Sequence, residues 1–307
     1  MAAAGAGEYD VVVIGGGHNG LVAGCYLARA GLDVLVVERS ERLGGMALTA
    51  PLVAEAPNHL LSPRSYENVY LRASGIVEEL RLADYGFRDV DAAGWAWLGD
   101  DGESLVLGRD VEWTARELSR FSRKDGRRYR ELMEAAVPAL GLQDRFGGVN
   151  PKRPGFGVLG AAAWTLIRKR AVRRTLAAAL TSTAADAIAA NFESPQARGA
   201  FAAIATILSP PLDEGGGIAL LAPALLHHHG AGRPIGGMGA VIVALERCLR
   251  AHGGEARTGA GALAIETADG RASAVELEDG TVVRARRAVI AAIPPQRVPD
   301  LAGDALE

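Results

Sequence analysis

The hydrophobic pattern near the start of the chain predicts a strand, a helix and a second strand in close succession. Residues 9–14 form a nearly continuous apolar run, which is typical of a strand buried on both faces of a parallel sheet. Apolar positions spaced through residues 18–30 predict a packed helix, and Gly31 suits its C-terminal cap. Residues 33–37 predict a second buried strand with Glu38 at its end. Together they form a strand–turn–helix–strand unit followed by an acid.

Farther along, the pattern predicts a mainly helical middle followed by short strands. The predicted helices cover 67–83, 114–142, 158–206 with an interruption near 193–195, and 241–249. The predicted strands are a hairpin over 95–107 turning at Asp101-Gly102, short strands at 262–267, 271–278 and 281–286 with turns at Asp269-Gly270 and Asp279-Gly280, and a last buried strand at 288–293. A Gly- and Pro-rich loop is predicted at 147–157. The fold class that follows is α/β, with a parallel sheet and a β-meander.

Composition excludes several classes of function. The 307 residues suit one large domain or two ordinary ones, and the 49% hydrophobic content supports a sizeable core. A net charge of −3 and only 5% aromatic residues argue against nucleic-acid binding. Cys25 and Cys248 form no CxxC pair, which favours a reducing compartment over a disulfide or metal framework. With no signal-peptide pattern and no bilayer-length apolar run, we expect a soluble, cytoplasmic protein with at most peripheral membrane contact.

The turn after the first strand carries a GxGxxG pattern. Gly15 permits the tight turn, Gly17 lets backbone approach a pyrophosphate, and Gly20 lets helix and strand pack closely. The pyrophosphate is expected on the free N–H groups of the helix N-terminus, near His18 and Asn19. A plain glycine-rich turn is the alternative. It is disfavoured because Glu38 stands where an acid accepts from ribose hydroxyl groups.

The residues after Glu38 bear on the choice between NAD and FAD. Arg42 follows the acid, and the pair Gly44-Gly45 comes next. A cation can neutralise pyrophosphate, and backbone without side chains can pass close to the ribityl chain and flavin. The remaining candidates for cofactor contact in this segment are Arg39 and Met46. A surface turn is the alternative interpretation.

The histidines offer weak candidates for catalysis. His227, His228 and His229 are consecutive, and side chains alternate along a strand, so they cannot all converge on one ion there. We predict no metal site and expect one or two of these residues to face the cofactor cavity. His227, His229 and His59 are the candidates for a base, each with a structural role as the alternative, and the catalytic residue stays unknown.

The segment IRKRAVRR at 167–174 is a basic patch on a predicted helix. It could face anionic lipid, but the interpretation that we favour is a solvated helix face.

The segments just described resemble a known family. VVVIGGGHNGLVAGCYLARAGLDVLVVERSERLGGMA is similar to the N-terminus of phytoene desaturase-like flavoproteins of the FAD-dependent amine oxidase superfamily, and the GGMG block with its following helix and meander at 236–293 resembles their second FAD segment. The resemblance implies a discontinuous FAD domain of residues 1–62 and 232–300, with a substrate or cap domain at 63–231. It also implies Ala262 near the adenine, Ala291 and Ala292 near the flavin or ribityl chain, and FAD contacts at Gly15, Gly17, Gly20, Glu38, Arg42, Gly44 and Gly45.

The family resemblance implies FAD-dependent desaturation, isomerisation or oxidation of large apolar or natural-product-like substrates, by hydride transfer from a C–H bond. Family members usually continue past the equivalent of Pro295 into a glycine-rich turn and a helix aimed at the flavin, which this sequence lacks. We expect a second polypeptide to supply that region, so that the chain is one subunit of a split enzyme. A truncation, a non-catalytic partner or scaffolding subunit, and an NAD-binding dehydrogenase are the alternatives.

Overall fold

A computed structural model describes residues 7–100, 102–147, 149, 153, 155–208 and 211–303, without the side chains of 142–147, 162, 165 and 166. The chain forms two compact units. The first comprises Met1–Asn68, Gly75–Val90 and Arg233–Glu307, and the second comprises Val69–Ser74 and Asp91–Gly232. The sequence predicts a cofactor domain at 1–62 and 232–300 and a substrate domain at 63–231. Because these bounds assign a function to each part, which contacts alone do not test, they stay a prediction.

The described strands and helices are numbered in chain order. The strands are β1 (Glu8–Ile14), β2 (Val34–Val37), β3 (Asp89–Asp91), β4 (Gly94–Leu98), β5 (Ser104–Gly108), β6 (Gly232–Pro234), β7 (Glu255–Arg257), β8 (Ala262–Ala268), β9 (Arg271–Leu277) and β10 (Val282–Ala291). The α-helices are α1 (His18–Arg29), α2 (Val69–Ser74), α3 (Ile76–Glu79), α4 (Val111–Ser119), α5 (Arg123–Gly147), α6 (Phe156–Arg168), α7 (Arg170–Thr181), α8 (Ala184–Asn191), α9 (Pro195–Leu208), α10 (Pro223–His229), α11 (Gly239–Ala251) and α12 (Val298–Ala302).

A six-stranded sheet organises the first unit, in the order β7-β2-β1-β10-β9-β8. Strands β7, β2, β1 and β10 pair in parallel, whereas β10, β9 and β8 form an antiparallel meander. This arrangement confirms the predicted α/β class with its parallel sheet and meander. The parallel strands direct their carboxyl ends to one edge, which is where such sheets bind ligands.

Both faces of the parallel strands are covered, which explains their unbroken apolar sequence. Val12 and Ile14 pack into a core that includes residues of β2 and the meander. On the opposite face, a methyl group added to Gly24 of α1 would lie 3.1 Å from Val36 and 3.3 Å from Leu249 of α11. Glycine therefore lets α1 pack closely between β2 and α11.

The second unit is mainly helical and has its own core. An antiparallel hairpin of β4 and β5 packs with the helices. The large buried side chains of this core include Leu105, Leu107, Leu118, Tyr129, Met133, Ile188, Phe192, Phe201 and Leu226. The predicted hairpin is confirmed, with its loop between Leu98 and Ser104; Asp101 lies outside the described residues.

A buried carboxylate fixes the turn between α8 and α9. Asp125, fully buried in the first turn of α5, accepts from the backbone N–H groups of Glu193 at 2.8 Å and Ser194 at 2.9 Å. It also accepts from the Ser194 hydroxyl at 2.5 Å. The predicted interruption near 193–195 is therefore a built turn that links α5 to the start of α9.

Two predicted strands are one in the structure. The sequence predicts separate strands at 281–286 and 288–293, because Arg286 and Arg287 interrupt the apolar pattern, but β10 runs without a break. The register of β10 against β1 shifts at this point, and Asp10 of β1 accepts from Nε of both arginines at 3.2 and 3.1 Å. The two consecutive arginines therefore mark an irregularity within one strand, where both pair with Asp10, and not a loop between two strands.

Other predicted elements differ in their details. The helix predicted at 67–83 is divided at Gly75 and at Arg81, both of which have positive φ. The helix at 114–142 is two helices, α4 and α5, and the short edge strand β7 was missed because only three residues pair. Of the loop predicted at 147–157, residues 148, 150–152 and 154 lie outside the described residues.

Candidate cofactor site

A cavity of about 1400 Å³ lies in the first unit, at the carboxyl ends of β1, β2 and β10. Its volume exceeds the roughly 300–1,000 Å³ that is common for drug-sized ligands. It brings together most of the cofactor-contact residues predicted from the sequence: Gly15, Gly17, His18, Asn19, Glu38, Arg39, Arg42, Gly45, Met46, Ala262 and Ala291 line it. Gly20 and Gly44 are outside this lining.

The surroundings of the three glycines in the first turn differ, and they explain the absence of a side chain in different ways. Gly15 has a φ of +108°, and an added Cβ would lie 2.6 Å from the Ala292 carbonyl oxygen. A Cβ on Gly20 would overlap the Gly15 carbonyl oxygen. A Cβ on Gly17 would meet no atom within 4 Å. Gly15 and Gly20 are therefore required by the protein's own packing, whereas Gly17 leaves space on the cavity side.

The N-terminus of α1 opens into this cavity. Gly17 is the N-cap residue, no described side chain caps the helix, and its first turn holds no acid. The first N–H groups of a helix lack intrahelical acceptors and carry a partial positive charge. His18 and Asn19 are exposed at this end. The surrounding protein partly desolvates His18 and lowers the pKa of its imidazole.

Glu38 is held by the turn that it faces. One carboxylate oxygen accepts from the Gly16 N–H at 2.8 Å, and the other accepts from the Ser40 N–H at 2.9 Å. Each carboxylate oxygen can accept a second hydrogen bond. The residue thus ties the end of β2 to the glycine turn and retains acceptor capacity toward the cavity.

The second glycine pair packs against the first turn. Gly44 has a φ of +134° and donates its N–H to the Gly16 carbonyl at 2.9 Å. Gly45 has a φ of +53°, and its added Cβ would lie 3.4 Å from the Gly17 Cα. Arg42 is exposed on the same cavity wall and makes no ion pair with another described residue. Gly45 is therefore part of the cavity wall, and the buried Gly44 packs against the first turn rather than forming a surface turn.

The returning segment contributes the rest of the cavity lining. Ala262 begins β8, and Ala291 to Pro294 form the end of β10 and the residues after it. Arg64, Glu278 and Arg297 also line the cavity and were missed in the sequence. The only available signals were the position of Arg297 just after Pro294-Pro295 and that of Glu278 just before the Asp279-Gly280 turn.

The histidine predictions need correction. His227, His228 and His229 form the last turn of the helix α10, not a strand, and they belong to the second unit. Neither they nor His59, which is exposed, line the cavity. Three consecutive histidines among mostly apolar neighbours show no hydrophobic periodicity. The sequence pattern therefore could not distinguish a helix from a strand at this place.

His227 is committed to structural partners. Its Nδ1 donates to the Arg109 carbonyl oxygen at 2.7 Å, and its Nε2 accepts from the hydroxyl of the buried Tyr129. Burial lowers the pKa of the imidazole, against smaller opposite effects of the Arg109 carbonyl and Asp110. Both ring nitrogens are thus occupied in the neutral form.

Neither a metal cluster nor a membrane span occurs in the part of the chain that the structure describes. It contains no group of three or more His, Cys, Asp or Glu side chains placed to hold a metal ion. Among the described helices, none combines the length and the apolar character needed to cross a bilayer.

Family models match both cofactor segments. A model described as an NAD(P)-binding Rossmann-like domain matches residues 13–71, and one described as flavin-containing amine oxidoreductase matches residues 174–303. The fold is shared with putrescine oxidase in its complex with putrescine, at a TM-score of 0.58 and 19% identity over 96% of this chain and 60% of that one.

Two named relatives align with most of this chain, and a third aligns with less than half of it. Pyridine nucleotide-disulfide oxidoreductase domain-containing protein 2 of Rattus norvegicus is 32% identical over 94% of this chain and 54% of its own length. Hydroxyneurosporene desaturase of Rhodobacter capsulatus is 29% identical over 97% of this chain and 59% of its own. One of the subunits of limonene dehydrogenase from Castellaniella defragrans is 39% identical over 41% of this chain and 22% of its own. The chain spans little more than half the length of the first two of these relatives.

The fold and the cavity are those of a dinucleotide-binding protein, and the family model that matches residues 174–303 is that of a flavoprotein. The chain belongs to the FAD-dependent amine oxidase superfamily of oxidoreductases, among its phytoene desaturase-like members. FAD is the cofactor of this family and of this chain.

The residues present fit FAD on their own geometry. The uncapped start of α1 and the open space beside Gly17 suit a pyrophosphate, since both backbone N–H groups and room for close approach are available. Arg42 supplies a cation and Glu38 a hydrogen-bond acceptor on the same wall. Ala262 and Ala291 also line the cavity, and its volume of about 1400 Å³ leaves room for a dinucleotide.

Proposed function

We propose that the protein oxidises a C–H bond of an apolar small molecule, as a dehydrogenase or desaturase. The names of two relatives, a desaturase and a dehydrogenase subunit, support this class of reaction. When bound, oxidised FAD would supply two-electron oxidation: it would accept a hydride from one substrate carbon, the neighbouring carbon would release a proton to water, and a double bond would form between the two carbons.

The observation that carries the proposal is the uncapped N-terminus of α1, which opens into the cavity at Gly17. There the N–H groups of the first turn, with His18 and Asn19, hold the pyrophosphate, and Arg42 neutralises part of its charge. Glu38 accepts from ribose hydroxyl groups. Gly44, Gly45, Arg39 and Met46 line the path of the cofactor.

Two parts of the cavity lining, at Ala262 and at Ala291, have different roles in the proposal. Ala262 packs near the adenine, and the backbone at Ala291 and Ala292 lies along the flavin or ribityl chain. No base is assigned, because His59, His227 and His229 are not among the residues that line the cavity. The second unit provides the substrate or cap domain.

We further propose that a second polypeptide completes the enzyme. Apolar residues of the loop after the glycine pair are exposed and do not line the cavity: Val53, Leu60 and Leu61. Residues 288 and 289, predicted to be buried, are only half-buried and also lie outside the cavity lining. A covering surface would bury this apolar face, and the similarity to a protein named as a dehydrogenase subunit supports a separate chain.

The test measures flavin binding with and without a partner. The chain is purified alone, with added FAD, and after co-expression with the product of the neighbouring gene, and its flavin absorption spectrum is recorded. A yellow complex that forms only with the partner supports the split enzyme. Flavin bound in none of these preparations contradicts the enzyme and favours a non-catalytic subunit. The mass of the native polypeptide separates a partner from a continuation of this chain.

A second test examines the contribution of Arg42 to FAD binding. Replacing Arg42→Gln should lower FAD binding, because the exposed guanidinium lines the cavity and has no other ion-pair partner among the described residues. Arg271→Gln, which replaces an exposed arginine at the start of β9, is the matched control. Equal FAD binding by Arg42→Gln and the parent would contradict the proposed contact between Arg42 and the pyrophosphate.

A further inference from the structure

We propose that helices α6 and α7 form a docking surface for a membrane that contains anionic phospholipid. The surface lies within the second unit and does not depend on the flavin site. It consists of an exposed apolar stripe on α6 and a cluster of cations that begins where α6 ends.

The apolar stripe consists of large side chains that face solvent. The exposed fractions are 95% for Phe156, 45% for Leu159, 59% for Trp164 and 71% for Ile167. At 100° per residue these four positions fall within an arc of about 140°. Globular proteins rarely expose so many large apolar side chains on one face of a helix without a binding role.

The cationic cluster follows without interruption. Arg168, Lys169, Arg170, Arg173 and Arg174 are all exposed, while Val172 and Ala179 of α7 are buried. The Arg168 guanidinium lies 4.1 Å from the centre of the Trp164 ring. The charged and apolar parts therefore meet on one surface.

The charge of this region has no local counterpart in the sequence. Between Asp144 and Asp186 the chain contains eight Lys and Arg residues and no Asp or Glu. An apolar helix face bordered by Lys and Arg matches the boundary between lipid headgroups and acyl chains. Tryptophan is also enriched at that depth.

Helix length fixes the mode of contact. The 13 residues of α6 extend about 20 Å, less than the roughly 30 Å hydrocarbon core of a bilayer. The helix therefore lies in the plane of the interface and does not span the membrane. The basic segment at 167–174, interpreted from sequence as a solvated helix face, becomes the polar border of this surface.

The experiment measures sedimentation of the full chain with vesicles. One set contains equal parts of phosphatidylcholine and phosphatidylglycerol, and the other contains phosphatidylcholine alone. We expect binding to the mixed vesicles that weakens with salt, and far weaker binding to the neutral ones. Equal binding to both sets, or binding to neither, overturns the proposal; binding to neither would assign the stripe to a protein partner.

Matched variants locate the surface. Lys169→Gln/Arg170→Gln should reduce binding to mixed vesicles by roughly thirtyfold. Arg271→Gln/Arg284→Gln removes the same charge from exposed positions of the first unit and should change binding less than threefold. An equal loss in both pairs would show a response to net charge only and would overturn the docking surface.

The apolar stripe has its own variant and a depth readout. Phe156→Ser/Ile167→Ser should abolish most binding, whereas Leu98→Ser, an exposed leucine of the β4–β5 hairpin, should not. Lipids brominated on their acyl chains should quench tryptophan fluorescence of the parent chain, and Trp164→Phe should remove that quenching. Quenching that persists in Trp164→Phe contradicts insertion of α6.

Discussion

Gly17 and Gly20 lie three positions apart in α1 and its cap, yet the structure restricts them for different reasons. Gly20 has no room for a methyl group because the Gly15 carbonyl occupies the space. Gly17 has room, but that room is the cavity. The two positions therefore separate an effect on folding from an effect on the cofactor.

Gly20→Ala should destabilise the chain by about 3 kcal/mol or more, because the overlap is with rigid backbone. Gly17→Ala should change the free energy of unfolding by no more than about 1 kcal/mol, since its φ of −74° suits alanine. It should nevertheless reduce FAD binding at least tenfold. Urea unfolding and flavin titration measure the two effects. A Gly17→Ala protein that keeps full FAD affinity would contradict the proposed pyrophosphate position.

His227 makes stability depend on pH. Burial lowers its folded-state pKa below the unfolded value of about 6.5, so the unfolded chain takes up the proton first. The contribution of the neutral ring is complete above pH 6.5 and is lost as pH falls through the folded pKa. We expect the free energy of unfolding to decrease on acidification in this range.

His227→Gln should flatten that decrease, whereas Tyr129→Phe should lower stability but retain the pH dependence, because it leaves the imidazole buried. Urea titrations at a series of pH values provide the comparison. If the parent and His227→Gln proteins give parallel pH profiles, another group controls the acid response.

At the scale of elements, Asp125 connects α5 to the turn before α9 through three hydrogen bonds. Asp125→Ala should destabilise the protein by about 3 kcal/mol, because two backbone N–H groups and a hydroxyl lose a charged acceptor in a buried place. Glu131→Ala, which breaks an exposed pair with Arg128 on the same helix, should cost under about 0.5 kcal/mol. Similar effects of the two substitutions on the urea midpoint would argue against the clamp.

The elements that sequence predicts well are those with a strict physical requirement. The first βαβ unit could be predicted because parallel strands buried on both faces must be apolar, and because the turn between Gly15 and Gly20 excludes side chains. The Asp269-Gly270 turn was predictable for a similar reason, since both residues adopt positive φ.

Features without a local signal could not be predicted. Arg286 and Arg287 look like a strand boundary until Asp10, far away in the sequence, is seen to accept from both. Arg64, Glu278 and Arg297 reach the cavity from segments with no repeating pattern, so only the tertiary arrangement identifies them. The three consecutive histidines gave no period, and their helix is set by packing within the second unit.

At the scale of the whole molecule, the two proposals concern different surfaces and can fail independently. Binding of the second polypeptide should slow hydrogen exchange at residues 46–61 and 290–297 and leave 156–174 unchanged. Vesicles that contain phosphatidylglycerol should slow exchange at residues 156–174 and leave residues 46–61 and 290–297 unchanged. Exchange measured by mass spectrometry on the chain with each ligand tests both. Protection of 156–174 by the polypeptide would mean that α6 belongs to the protein interface.

The pairing of β1 with β10 also determines when the cofactor site can form. Val12 lies beside Val289, so nearly the whole chain separates these partners, and closing such a loop costs about 5 kcal/mol of chain entropy. During synthesis β1 cannot pair with β10 until β10 has left the ribosome. Residues Asp91–Gly232 are synthesised earlier and can already pack around their own core. The core of the helical unit can therefore form before β1 pairs with β10, a pairing that the cofactor site requires.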